Sequence, residues 1–124
     1  MKPRILIIED EPTLLFAIQD YLDQQGYDVD GAAELEEASA LLMNVAYDVV
    51  ITDIRLTPVQ NGEGLHVIEM IRERSLAARV VVLTGCGSIS IEKAAHRLGV
   101  DRFIRKPVPL SVIAGTVSEL VARS

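Results

Sequence analysis

Six polar side chains stand where the chain could do chemistry. Glu9, Asp10 and Glu11 follow the apolar run Ile5–Ile8, Asp53 follows Val49–Thr52, Thr84 ends Val80–Thr84, and Lys106 precedes Pro107. Taken singly, each has an ordinary explanation: acids at strand ends are commonly solvated turn residues, a terminal Thr is a good β-former, and a lone Lys is a surface charge. Together they would form a cluster that needs a cation. Unit charges about 4 Å apart repel by roughly 4 kcal/mol at an effective dielectric of about 20. A donor set of carboxylates, with no Cys and no suitably spaced His, suits a hard ion such as Mg²⁺.

Whether these groups meet depends on the elements that carry them. Ile5–Ile8, Val49–Thr52 and Val80–Thr84 are short, continuous and rich in β-branched residues, the pattern of strands buried on both faces. Tyr27–Val29 and Arg102–Ile104 are weaker strand candidates near the edges. Between them run helical stripes. Leu14, Leu15, Ile18, Tyr21 and Leu22 form the first, with Pro12 in its opening turn and Gly26 as its stop. Leu35, Ala38, Leu41, Leu42 and Val45 form the second, and Leu65, Ile68 and Ile71, opened by Asn61-Gly62, the third. Ile91, Ala94, Ala95 and Leu98, closed by Gly99, form the fourth; Leu110, Ile113, Val117, Leu120 and Val121 form the fifth.

Strict alternation of five strands and five helices predicts an α/β, doubly wound, five-stranded parallel sheet with helices on both faces, since parallel neighbours need a right-handed crossover. All strands then end at one edge, where ligands bind in such sheets. The six polar residues would therefore converge there.

Composition bounds the rest. A chain of 124 residues is one domain, large enough to fold without staples, and 49% apolar with 24% charged residues excludes disorder. Residues 1–62 hold twelve acids and three bases, while 63–124 hold six acids and nine bases; the overall charge of −6 argues against direct nucleic-acid binding. Cys86 is the one cysteine, so no intrachain disulfide can form. The first apolar run is too short for a signal segment or a membrane span, and the expectation is a cytoplasmic domain with no membrane contact.

Four motifs carry a resemblance. Ile-Leu-Ile-Ile-Glu9-Asp10-Glu11, Thr52-Asp53-Ile-Arg-Leu, Val-Leu83-Thr84-Gly85 and Lys106-Pro107, in that order and spacing, resemble the receiver domain of two-component response regulators over essentially the whole chain, 1–124. The resemblance implies a flavodoxin-like strand order of 2-1-3-4-5. It also implies that Asp53 is the phosphoacceptor and that Glu9, Asp10, Asp53 and the carbonyl of Arg55 hold Mg²⁺. Thr84 and Lys106 would contact phosphoryl oxygens, and the Lys106–Pro107 peptide would be cis. A carboxylate can serve as nucleophile toward phosphorus, with metal and ammonium neutralising the transferring group.

The same resemblance implies a phosphohistidine donor on a histidine kinase or a histidine phosphotransfer protein. Thr84 and Phe103 would act as a switch. The face made by the fourth helix, fifth strand and fifth helix, with Lys93, Arg97, Arg102 and Arg105, would meet a downstream protein or a second copy. Such a protein is a signalling device that catalyses its own phosphorylation and dephosphorylation, not a turnover enzyme. With no length for an output domain, the chain is expected to be a receiver standing alone or one cut from a longer protein.

Departures from the family pattern lie after the acceptor. Leu56 replaces the usual Met, and one extra residue precedes Gly62, so a longer loop is expected. Arg55 and Cys86, two residues after Asp53 and Thr84, would line the approach to the phosphate, and Arg55 would influence acyl-phosphate lifetime. Other readings fit less well. Gly85-Cys-Gly87 lacks the third Gly and following acid of a dinucleotide fingerprint. Arg55 stands where an aspartyl-phosphate phosphatase needs a second Asp, and a flavin site would lack an aromatic platform because the chain has no Trp. His66 and His96 are read as helix-surface residues. The serious alternative is a receiver-like interaction module that is never phosphorylated.

Overall fold

The computed structural model describes residues 2–54, 65–75, 77–85 and 89–123. Five strands, β1 (Arg4–Ile8), β2 (Asp28–Ala32), β3 (Val49–Thr52), β4 (Arg79–Thr84) and β5 (Arg102–Arg105), alternate with α1 (Pro12–Gln24), α2 (Leu35–Asn44), α3 (His66–Arg74), α4 (Ile89–Arg97) and α5 (Leu110–Ala122). All strand pairs are parallel and their order is β2-β1-β3-β4-β5, as the sequence pattern and the resemblance together implied.

Two apolar layers sandwich the sheet. Along β1 successive side chains point to opposite faces. Ile5 and Ile7 join Ile18 and Leu22 of α1 and Ile113, Val117 and Leu120 of α5. Leu6 and Ile8 join Ala38 and Leu42 of α2, Val67, Ile68 and Ile71 of α3, and Ala95 of α4. The three central strands are almost wholly buried, which explains their unbroken apolar runs.

The stop signals work as expected. Pro12 opens α1, and Gly26 and Gly99 follow α1 and α4 with φ of 95° and 91°, a region that costs an L side chain. One expectation needs correction. The second strand runs Asp28–Ala32 rather than Tyr27–Val29, because pairing with β1 from Arg4↔Asp28 to Ile8↔Ala32 imposes extended backbone on a segment of poor β-formers. The fifth strand extends one residue further, to Arg105. The Asn61-Gly62 opening of the third helix and the lengthened loop after Asp53 lie outside the described residues. Among the described residues no helix is long and apolar enough to cross a membrane.

Candidate functional site

Backbone hydrogen bonds carry the sheet one residue beyond three strands, and they deliver the polar groups to one rim. Glu9 N–H donates to Ala32 O at 2.9 Å, Asp53 N–H to Ile8 O at 3.0 Å, and Lys106 N–H to Thr84 O at 2.9 Å. Glu9 and Asp53 are thereby tied to neighbouring strands at the carboxyl end. The β3–β4 register pairs Thr52 with Val82, so Asp53 stands level with Leu83 and buried Thr84 lies one residue further along the same rim.

The side chains form a compact charged cluster. Lys106 Nζ donates to Glu9 Oε1 at 2.7 Å and to Asp53 Oδ2 at 2.8 Å, bridging residues from two other strands. Glu9, only 2% exposed, also accepts from the Glu11 N–H at 3.2 Å. Exposed Asp10 completes the set: Glu9, Asp10 and Asp53 each offer a carboxylate oxygen, all within 4.8 Å of one another. Burial lifts the Glu9 carboxyl above its ordinary range despite the opposing Lys106 ammonium. Burial also pulls on Lys106 in the neutral direction, but its hydrogen bonds and charge contacts with Asp53 and Glu9 outweigh that and hold it charged. The Lys106–Pro107 peptide is cis.

Three carboxylates against one ammonium leave two negative charges, and all available donors are oxygens. That set fits a hard divalent cation. Arg55 and its carbonyl, and Cys86, lie outside the described residues.

Several roles were missed in the sequence. Glu11 belongs to helix capping: its carboxylate accepts from Thr13 N–H at 3.2 Å and Leu14 N–H at 2.7 Å. Pro12 at the first helical position was the available signal. The basic face has internal partners as well. Arg105 pairs with Glu92 of α4 at 2.8 Å and lies 5.1 Å over the half-buried Phe103 ring, while Arg102 pairs with Glu119 of α5. Two of the four cations named on the α4–β5–α5 face thus tie β5 to its flanking helices. His66 and His96 are exposed on their helices, as expected.

Residues 5–118 match the family of the response regulator receiver domain. The chain belongs to that family. It is 30% identical over 113 residues to the photosynthetic apparatus regulatory protein RegA of Rhodobacter capsulatus, covering 91% of this chain and 60% of that protein. The chain therefore spans less than two thirds of that relative's length. A CheY-like receiver domain from Methanospirillum hungatei superposes with a TM-score of 0.91 at 24% identity, over 99% of this chain and 96% of that one, which speaks to fold alone. A response regulator from Burkholderia pseudomallei, described with a phosphorylated aspartic acid, a calcium ion and citrate, superposes with a TM-score of 0.83 at 26% identity over 98% of this chain and 72% of its own. Receiver domains are signalling domains of two-component systems, phosphorylated on Asp in homologues and with an acidic Mg²⁺ site. They interact with histidine kinases or phosphotransfer proteins and with downstream effectors.

Proposed function

We propose that this receiver domain, running through residues 1–124, accepts a phosphoryl group on Asp53 from a phosphohistidine of a partner protein. The observation that carries the reading is the Lys106 bridge, which joins Asp53 to Glu9 at the sheet rim. In the transfer, an Asp53 carboxylate oxygen forms the new O–P bond as the histidine N–P bond breaks, and the imidazole leaves. Lys106 is placed to follow a phosphoryl oxygen, and the Thr84 hydroxyl, on the same rim, to donate to another. Glu9, Asp10 and Asp53 are the residues that would hold Mg²⁺, which when bound neutralises charge on the transferring oxygens.

Signal output follows from the same contacts. A phosphoryl group on Asp53 attracts the Thr84 hydroxyl, and Phe103, paired with Val82 beside it, repacks as the β4 end moves. The α4–β5–α5 face then shifts its population between two states and engages a downstream protein or a second copy.

Incubation with Mg²⁺ and acetyl phosphate tests the reading by mass spectrometry. One added phosphate, abolished by Asp53→Asn and lost on Mg²⁺ chelation, is expected. No incorporation from the small donor or from a cognate kinase would leave a receiver-like interaction module.

A further inference from the structure

The two lateral edges of the sheet carry complementary helical stripes. On α1, Phe16, Asp20 and Asp23 fall at i, i+4 and i+7 and share one face. Phe16 is 70% exposed, and with Gln19, Asp20, Asp23 and Val29 it lines a groove of about 240 Å³ between α1 and edge strand β2. Gln19 packs against Gly31, where a Cβ would stand 2.6 Å from its amide carbon, so Gly31 leaves the strand side of the groove open beside Val29. Asp20 accepts a hydrogen bond from Gln24, and among the described residues no cation pairs with Asp20 or Asp23. Between Ile5 and Ile54 the chain contains no Lys or Arg that could do so from nearby.

On α4, beside the opposite edge strand β5, Ile89, Lys93 and Arg97 fall at i, i+4 and i+8. Ile89 is 71% exposed, and Lys93 and Arg97 are exposed with no carboxylate partner among the described residues. The neighbouring cations Arg105 and Arg102 are paired, with Glu92 and Glu119, so the carboxylates beside them are already engaged.

We infer that the α1 stripe docks the α4 stripe of a second copy of this chain, head to tail. Both helices return the chain from the carboxyl to the amino edge of a parallel sheet, so they run in the same direction. A copy turned about the strand axis keeps that direction and presents α4 parallel to α1. Phe16 then meets Ile89, Asp20 meets Lys93, and Asp23 meets Arg97. The first step is four residues on both helices, about 6 Å at 1.5 Å per residue. The second differs by one residue, within reach of a long Arg side chain. An antiparallel pairing would set Asp23 against Ile89, leaving a carboxylate on an apolar side chain. Because the stripes sit at opposite edges, each docked copy leaves one of each free, and the assembly grows as a chain or closes as a ring. It differs from a symmetric contact through α4–β5–α5, which would not use α1.

Sedimentation velocity on the full chain, from micromolar to millimolar, tests this. The expected result is self-association that weakens with added salt, since screening shortens from about 30 Å at 0.01 M to about 10 Å at 0.1 M. Asp20→Lys/Asp23→Lys and Lys93→Glu/Arg97→Glu should each raise the dissociation constant about tenfold or more, with circular dichroism unchanged. Their equimolar mixture should associate again, because each restores the other's missing complement. Loss on swapping α4 but not α1 would overturn the inference in favour of a symmetric contact. A wild-type chain that stays monomeric at millimolar concentration and low salt would overturn it as well, leaving the α1 groove to a cationic helix of another protein or to solvent.

Discussion

Lys106 Nζ stands 2.8 Å from Asp53 Oδ2 while the same ammonium bonds Glu9 at 2.7 Å, so one cation from β5's end holds together carboxylates delivered by β1 and β3. Removing it sets two buried acids against each other. Lys106→Met is expected to destabilise the domain by about 1–3 kcal/mol, below the value for a fully buried pair because the Lys106 side chain keeps 22% exposure. Urea melts in chelator should show the deficit, and Mg²⁺ should shrink it by supplying the missing charge. An equal deficit in both conditions would mean that the loss is packing alone.

Mg²⁺ itself should stabilise the native chain by mass action, by about 2.7 kcal/mol at a hundredfold excess over its dissociation constant. Asp53→Asn removes one of three neighbouring carboxylates. It should raise the thermal midpoint without metal and reduce the Mg²⁺ increment. Unchanged midpoints in both comparisons would show that the three carboxylates do not act as one cluster.

Glu11 separates helix capping from the site beside it. Its carboxylate satisfies two free N–H groups at the start of α1. Glu11→Ala should cost about 0.5–2 kcal/mol, read as a lower urea midpoint with unchanged slope. Phosphate incorporation at saturating donor should persist, and its loss would place Glu11 among the residues that handle the phosphoryl group.

Tyr47 makes part of the domain's stability depend on alkaline pH. Burial, followed by the 2.7 Å hydrogen bond its hydroxyl donates to Asp30, holds its phenol well above the ordinary tyrosine range. The folded state thus keeps a proton that the unfolded chain releases near pH 10. This contribution is complete below about pH 10 and is lost as pH rises toward the folded value. The phenolate absorbance of Tyr47, isolated by difference from Tyr47→Phe, should therefore appear at higher pH in the folded chain than in the urea-unfolded one, and the stability excess of wild type over Tyr47→Phe should fall as pH rises past about 10. Phenolate forming near pH 10 in the folded chain, as in the unfolded one, would refute the linkage.

Much of the fold was legible because the central strands Ile5–Ile8, Val49–Thr52 and Val80–Thr84 are buried on both faces and cannot be anything but apolar. Edge strand β2 was misjudged by its boundaries, since Asp28-Val-Asp-Gly-Ala has little strand propensity and takes its length from pairing with β1. The cations Arg102 and Arg105 were legible as charge but not as partners. Glu92 and Glu119 lie on helices that reach β5 only after the sheet is built.

By itself the sequence determined the alternation of elements, the parallel sheet, and which residues stand at the strand ends, because burial period and stop signals are local. Tertiary structure alone decided that Lys106 reaches both Glu9 and Asp53 across 97 and 53 residues of chain. It also decided that Phe16 with its acids and Ile89 with its cations stand at opposite edges. Distances between residues remote in sequence follow from strand order and helix placement, and no local pattern carries them.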